Sequence, residues 1–375
     1  MPGQRRARRA VAYHVAPETP AVRVSDATHD APLAALLLPF DGGALAWPAQ
    51  GTVAFLRARD GWPLRRFPLG RLACEQGFRP LADALAGAGL QVQPRLETGA
   101  ASLVLVLPPR QRDEARALLA RAVGLAAPGA RVVAAVANDE GARPRERELQ
   151  QLAGLDGSLA KHHCRVFWTP PLHGAHDAAL AAAWREADAP RTVHDARSGR
   201  TFLSRPGVFA WDRVDPASAL LAAHLPAELA GRGADLGAGW GYLAGEVLAR
   251  APGVRALDLY EAEARALDLA RANLAGAAAA LGFHWHDVAA GLPQGGYDFI
   301  VSNPPFHAHD RGDRPELGQR FIEVAAQALR PGGRLLLVAN RHLPYEATLG
   351  HAFAQVRVLA GDGGFKAIEA LRGRG

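Results

Sequence analysis

Two halves of this chain repeat one order of signals, and that repeat limits what it can fold into. The first half contains S-L-V-L-V-L-P-P (residues 102–109), a helical stretch, then A-P-G-A-R-V-V-A-A-V-A-N (127–138). The second contains D-F-I-V-S-N-P-P (298–305), a helical stretch, then R-P-G-G-R-L-L-L-V-A-N (330–340). Strand, double proline, helix, Pro-Gly turn and strand recur with the same punctuation, which chance similarity between two buried strands does not supply. Apolar runs of strand length alternating with helical stretches imply a mostly parallel sheet in each half. At 375 residues the chain also exceeds what one ordinary core accommodates.

The expected division is a basic arm over 1–30, a first domain with its linker over 31–190, and a second domain over 191–375. In the first, strands are expected over 51–56, 102–107 and 131–137, with helices over 79–86 and 113–124, the latter capped by Asp113. A linker is expected from about 154 to 206. In the second, Asp215-Pro216 reads as an N-cap followed by a proline in the first turn. Strands are then expected ending at 236 and over 254–260, 283–286, 297–302 and 334–339. Helices fall over 241–250, 262–274 and 317–329, and a hairpin over 356–371 closes the sheet.

The two copies differ where chemistry belongs. In A-D-L-G-A-G-W-G (234–241) a strand ends at Asp235, and Gly237, Gly239 and Gly241 bracket Ala238 and Trp240 before a helix. Glycines there allow a tight turn and close approach of a ligand to the backbone. Dinucleotide folds place G-x-G-x-x-G at the same point. The spacing here is G-x-G-x-G after an acid, and an acid answers the ammonium and sulfonium charge of S-adenosylmethionine, which a pyrophosphate does not carry. Glu261, at the end of the next strand, can accept both ribose hydroxyls, with Asp258 a weaker candidate. Asp287 can accept the adenine amino group or simply cap a turn.

The decisive stretch is V-S-N-P-P-F (301–306). Pro304 and Pro305 make a rigid extended turn at the carboxyl edge of the sheet, where doubly wound folds bind ligands. The side-chain carbonyl of Asn303 and the main-chain carbonyl of Pro304 can both accept from one amino group, aiming its lone pair at an activated methyl, and Phe306 can stack on a base. The first copy has Leu107 in place of Asn303 and no matching glycine loop, so it reads as a domain that has lost catalysis.

These motifs, with P-G-V-F (206–209), D-P-A-S-A-L-L (215–221), L-P-Y (343–345) and G-F-K-A-I-E-A (364–370), resemble the RsmC-type small-subunit (16S) ribosomal RNA guanine-N2 methyltransferase family. The resemblance is dense over the last 170 or so residues. It implies two tandem class I, Rossmann-like methyltransferase domains of α/β type, the N-terminal one degenerate. It implies S-adenosyl-L-methionine as methyl donor, no metal, and ribosomal RNA or the small subunit as partner. In the family's pattern Trp240 is a departure, which implies an altered pocket edge. The alternatives are a large-subunit guanine-N2 enzyme, an adenine-N6 or protein-glutamine methyltransferase sharing the N-P-P loop, and a non-catalytic RNA-binding assembly protein.

Composition agrees with a cytoplasmic protein, and a monomer is expected. No apolar run reaches the ~20 residues of a membrane span, and Arg5, Arg6, Arg8 and Arg9 precede no apolar stretch of a secretion signal. Cys74 and Cys164 form neither a disulfide framework nor a zinc site, and His162-His163-Cys164 lacks a second ligand pair. The net charge is +6 and the positive charge is almost all arginine, which suits phosphate or reflects a GC-rich coding sequence. His307 and His309 fit a phosphate contact or a solvated loop equally. Arg143, Arg145 and Arg147, mixed with Glu146 and Glu148, read as a solvated helix face.

Overall fold

The computed structural model describes residues 30–97, 99–174, 176–305, 315–342 and 344–374. The first half contains strands β1 (Val53–Leu56), β2 (Leu72–Glu75), β3 (Gln91–Gln93), β4 (Ala101–Val106), β5 (Ala126–Ala137), β6 (Gly157–Lys161) and β7 (Cys164–Trp168). Its helices are α1 (Ala31–Asp41), α2 (Arg79–Gly87), α3 (Arg112–Leu125), α4 (Ala142–Ala153) and α5 (Ala178–Ala187). A short hairpin, β8 (Arg191–His194) and β9 (Thr201–Ser204), follows. The second half contains β10 (Ala230–Leu236), β11 (Gly253–Glu261), β12 (Ala280–Trp285), β13 (Tyr297–Ser302), β14 (Leu329–Asn340), β15 (Gln355–Asp362) and β16 (Phe365–Leu371). With them go α6 (Pro216–Ala223), α7 (Tyr242–Arg250), α8 (Ala264–Asn273), α9 (Pro315–Ala328) and α10 (Glu346–Ala352).

Each half builds a seven-stranded sheet, and the two orders correspond strand for strand: β3-β2-β1-β4-β5-β7-β6 and β12-β11-β10-β13-β14-β16-β15. The first five strands of each are parallel and the last two return antiparallel as a hairpin. Both copies slip register where the Pro-Gly turn enters β5 and β14. Gly129 and Gly332 take the positive φ that such a turn demands. Each sheet is covered on both faces by apolar clusters, as parallel sheets require.

Three expectations need correction. The stretch taken as linker contains β6 and β7, which complete the first sheet. Its turn, His162-His163, is left-handed at both residues without glycine, so it lacked the usual signal. Helix α3 is capped by Gln111, whose side chain accepts from the Glu114 amide, while Asp113 lies inside the first turn. In α4, Arg143 and Arg147 are exposed, but Arg145 is buried against Glu148, which also binds Arg116.

The halves meet through equivalent loops. The Arg79 amide donates to the Ala262 carbonyl (2.8 Å), and the Ala264 amide donates to the Gly77 carbonyl (2.9 Å). Strand register makes Gly77 the counterpart of Ala262 and Arg79 that of Ala264, so each bond is the other's image, as in a two-fold dimer. Trp285 clamps the junction, its indole N–H donating to both carbonyls, with the Arg79 guanidinium 4.9 Å above its ring. Arg265 adds ion pairs to Glu114 and Asp188. The degenerate half thereby braces the loop immediately after Glu261.

Candidate functional site

The site lies at the carboxyl edge of β10, β11 and β13, where the chain turns from strand to helix. Glycines 237, 239 and 241 all have positive φ, at +73°, +55° and +85°. At Gly241 a side chain would also meet Ala270 at 3.1 Å, whereas none of the described residues lies within 4 Å of a Cβ at Gly239. The turn therefore needs glycine for conformation, and Gly239 opens it to a ligand. Ala238 is buried, and the amides of Gly237 and Ala238 share the Tyr260 carbonyl. Trp240 points away from the site: it is buried among Phe202 and Tyr242 and donates to the Phe209 carbonyl. The altered pocket edge expected of it is not found, because the indole fills the core beneath the turn.

Asp235 is fully buried; one carboxylate oxygen accepts from the Ala244 amide (3.0 Å) in the first turn of α7. The other has no hydrogen-bond partner among the described residues, the kind of deficit a bound group relieves. Burial pushes its carboxyl up to about 7 from the usual 3.8. Glu261 sits at the end of β11, accepting from the Gly239 and Glu263 amides at 2.7 Å each. Burial, with the neighbouring Glu263, raises its carboxyl too. Asp258 faces the other side of β11, bound to Arg232, His284 and Tyr297, which removes it as a ribose ligand. Asp287 caps the turn after β12 through the Ala289 amide.

Asn303 follows β13, whose last residue, Ser302, donates to the Leu236 carbonyl (2.7 Å) and so ties the loop to β10. The Asn303 side-chain N–H2 donates to Asp215 Oδ2 (3.0 Å) and Ser218 Oγ (2.9 Å). Asp215, read from sequence only as a helix cap, keeps that role through the Ser218 amide. Pro304 is buried and Pro305 exposed. Phe306, His307 and His309 lie outside the described residues.

Register locates the same positions in the first half. Leu56 pairs with Glu75 and Val106, as Leu236 pairs with Tyr260 and Ser302. Asp235 thus corresponds to Phe55, Gly237 to Arg57, Glu261 to Gln76 and Asn303 to Leu107. Arg57 keeps the left-handed turn at φ +53° without glycine. Gln76 copies the bond that Glu261 makes to the amide two residues on, but its nitrogen donates to the Ala58 carbonyl where Glu261 accepts from Gly239. Asp235, Gly237, Glu261 and Asn303 have all been replaced, while the double proline and the frame are kept. Calorimetric titration of the whole chain with S-adenosylmethionine is accordingly expected to show one site; a stoichiometry of two would overturn the reading of the first half as degenerate.

The raised carboxyl of Asp235 gives a pH dependence with a definite sign. Its folded value of about 7 lies above its ordinary 3.8, so between those values the folded state holds the proton more tightly. Stability then declines as pH rises from about 4 to 7 and levels off above. A cationic ligand favours the ionised form, so its binding below pH 7 is expected to release protons. Calorimetry in buffers of different ionisation enthalpy should find less release in Asp235→Asn, and equal release would remove Asp235 from the site.

Two sheets of this order, a G-x-G-x-G turn after a buried acid, and Asn-Pro-Pro at the neighbouring strand end define a duplicated class I methyltransferase fold. The family described as Methyltransferase small domain matches residues 199–369. Ribosomal RNA small subunit methyltransferase C of Cronobacter sakazakii is 38% identical over 177 residues, 46% of this chain and 50% of the relative. Ribosomal RNA large subunit methyltransferase G of Streptomyces coelicolor is 36% identical over 180 residues, 47% of each. The chain spans about half the length of these two relatives. Against ribosomal RNA small subunit methyltransferase C of Salmonella newport the identity is 30% over 273 residues, 71% of this chain and 74% of that one. A T. thermophilus 16S rRNA N2 methyltransferase (RsmC), solved with AdoMet and guanosine, superposes with a TM-score of 0.75 at 24% identity, covering 92% of this chain and 93% of that one. The chain belongs to the ribosomal RNA small subunit methyltransferase C family.

Proposed function

We propose that this chain transfers the methyl group of S-adenosyl-L-methionine to the exocyclic N2 amino group of a guanine in 16S ribosomal RNA. The observation that carries the reading is the Asn303 amide: both its N–H groups are engaged by Asp215 and Ser218, leaving its oxygen to accept from a substrate. With the Pro304 carbonyl it can hold the two hydrogens of one amino group, and its carbonyl distinguishes an amine from a hydroxyl target. The donor supplies an electrophilic methyl; Glu261 suits its ribose diol, and the unpaired Asp235 oxygen its positive charge. As the new N–C bond forms, the donor's S–C bond breaks with its electron pair going to sulfur, S-adenosylhomocysteine leaves, an amine proton is shed to solvent, and the accepting oxygens stabilise the charge that develops on nitrogen.

The match to the Salmonella newport relative extends over 71% of this chain. It therefore reaches past the methyltransferase motifs into the degenerate half, which favours the ribosomal target over an adenine or glutamine one. The Streptomyces relative keeps the large subunit as the second reading. In this reading the protein acts as a cytoplasmic monomer, divided near residue 190, and needs no metal. Among the described residues no helix is long and apolar enough to cross a membrane. The test is to compare nucleosides of 16S and 23S rRNA, by mass spectrometry, from a strain with this gene and one without it. Loss of one N2-methylguanosine from 16S rRNA is expected. Loss from 23S rRNA would favour the second reading, and no loss from either would refute both.

A further inference from the structure

The Asn303 amide has two orientations open to it, and only one presents an oxygen to a target amine. Asp215 decides which. An ionised carboxylate only accepts hydrogen bonds, so the group facing it at 3.0 Å must be the amide nitrogen. Ser218, buried at the base of α6, takes the second N–H at 2.9 Å. Helix α6 packs across β14 and β16, so both acceptors stand on a rigid element.

The first half supplies an internal control. Asp30 caps α1 through the Leu33 amide, as Asp215 caps α6 through the Ser218 amide. Leu33 is therefore the counterpart of Ser218, and Leu107 that of Asn303. Both leucines are buried in one apolar cluster. Where the catalytic amide is lost, its serine partner is lost with it, while the aspartate needed for the cap stays.

We propose that Asp215 and Ser218 are positioning residues that lock the Asn303 amide with its oxygen toward the substrate, and that Asp215 restricts position 303 to an amide. The proposal rests on Asn303 holding the target amine. An aspartate at 303 would set two carboxylates against each other, and they cannot both ionise at such a distance.

The test measures kcat and KM with small subunits from a strain lacking this gene, alongside melting temperature and S-adenosylmethionine affinity. Ser218→Ala leaves the cap intact, since the cap uses the main-chain N–H. It is expected to lower kcat roughly tenfold with both KM values within about twofold, the loss of one hydrogen bond to the amide. Asp215→Ala should cost more, with a lower melting temperature from the lost cap. Asn303→Asp should lose about a hundredfold or more, and adding Asp215→Asn should recover at least about tenfold by removing the facing charge. Wild-type kcat in folded Ser218→Ala, or an Asp215→Asn/Asn303→Asp double variant no better than Asn303→Asp, would overturn the clamp. Wild-type kcat in Asn303→Ala would instead overturn the role of Asn303 on which the clamp depends.

Discussion

Asn303→Ala is expected to lower kcat by roughly 10²–10³-fold, the range for removing one preorganised polar partner of developing charge, while S-adenosylmethionine affinity stays nearly constant. The two effects separate because the side chain is held away from the glycine turn, by Asp215 and Ser218 on α6. Its oxygen has no partner among the described residues, so truncation removes the interaction with the target amine together with the two hydrogen bonds to Asp215 and Ser218, none of which belongs to the glycine turn. Single-turnover methylation with saturating donor measures the chemical step, and calorimetry measures donor binding. Near wild-type turnover would refute the assignment, and a large loss of donor affinity would place Asn303 at the cofactor instead.

Glu261→Ala is expected to weaken donor affinity by about 10–100-fold, since a hydrogen bond to a charged group is worth about 1.5–3 kcal/mol. The structure adds a second cause. The carboxylate also holds the amides of Gly239 and Glu263, so its loss frees the turn that faces the ligand. Glu261→Gln separates the two, because glutamine keeps one acceptor oxygen while giving up the charge; an intermediate affinity is expected. The first half shows where that exchange leads. Gln76 sits in the equivalent place with its nitrogen turned to the Ala58 carbonyl, no longer able to receive a donor from the turn. Unchanged affinity in Glu261→Ala would move the ribose contact elsewhere, and Asp258 could not inherit it, being committed to Arg232, His284 and Tyr297.

The duplication, the parallel order of strands and the glycine turn were legible in the sequence because each is a local signal. Periodicity marks a strand, glycine marks positive φ, and Asn-Pro-Pro is contiguous. Of the residues named for the site, those the structure describes fall at the carboxyl edge of one sheet for that reason; Phe306 lies outside them. The hairpin β6–β7 was not legible, because its turn is made by two histidines in left-handed conformation rather than by glycine or asparagine. Asp215 was read as a cap and is one, but nothing local shows that its carboxylate also faces residue 303, 88 positions away. The inward turn of Trp240 was hidden in the same way, since core packing against Phe202 and Tyr242 chose its direction.

What the sequence by itself determined is the repeated frame and the chemical kinds of group at its edge, since backbone conformation and strand pattern are encoded within a few residues. The tertiary structure alone decided which groups face one another. Strand register showed that Asp235 answers to Phe55 and Glu261 to Gln76, α6 oriented the Asn303 amide, and two equivalent loops joined the first half to the second. Hydrogen bonds and ion pairs act only across a few ångströms, and distances of that kind exist only once the chain has folded.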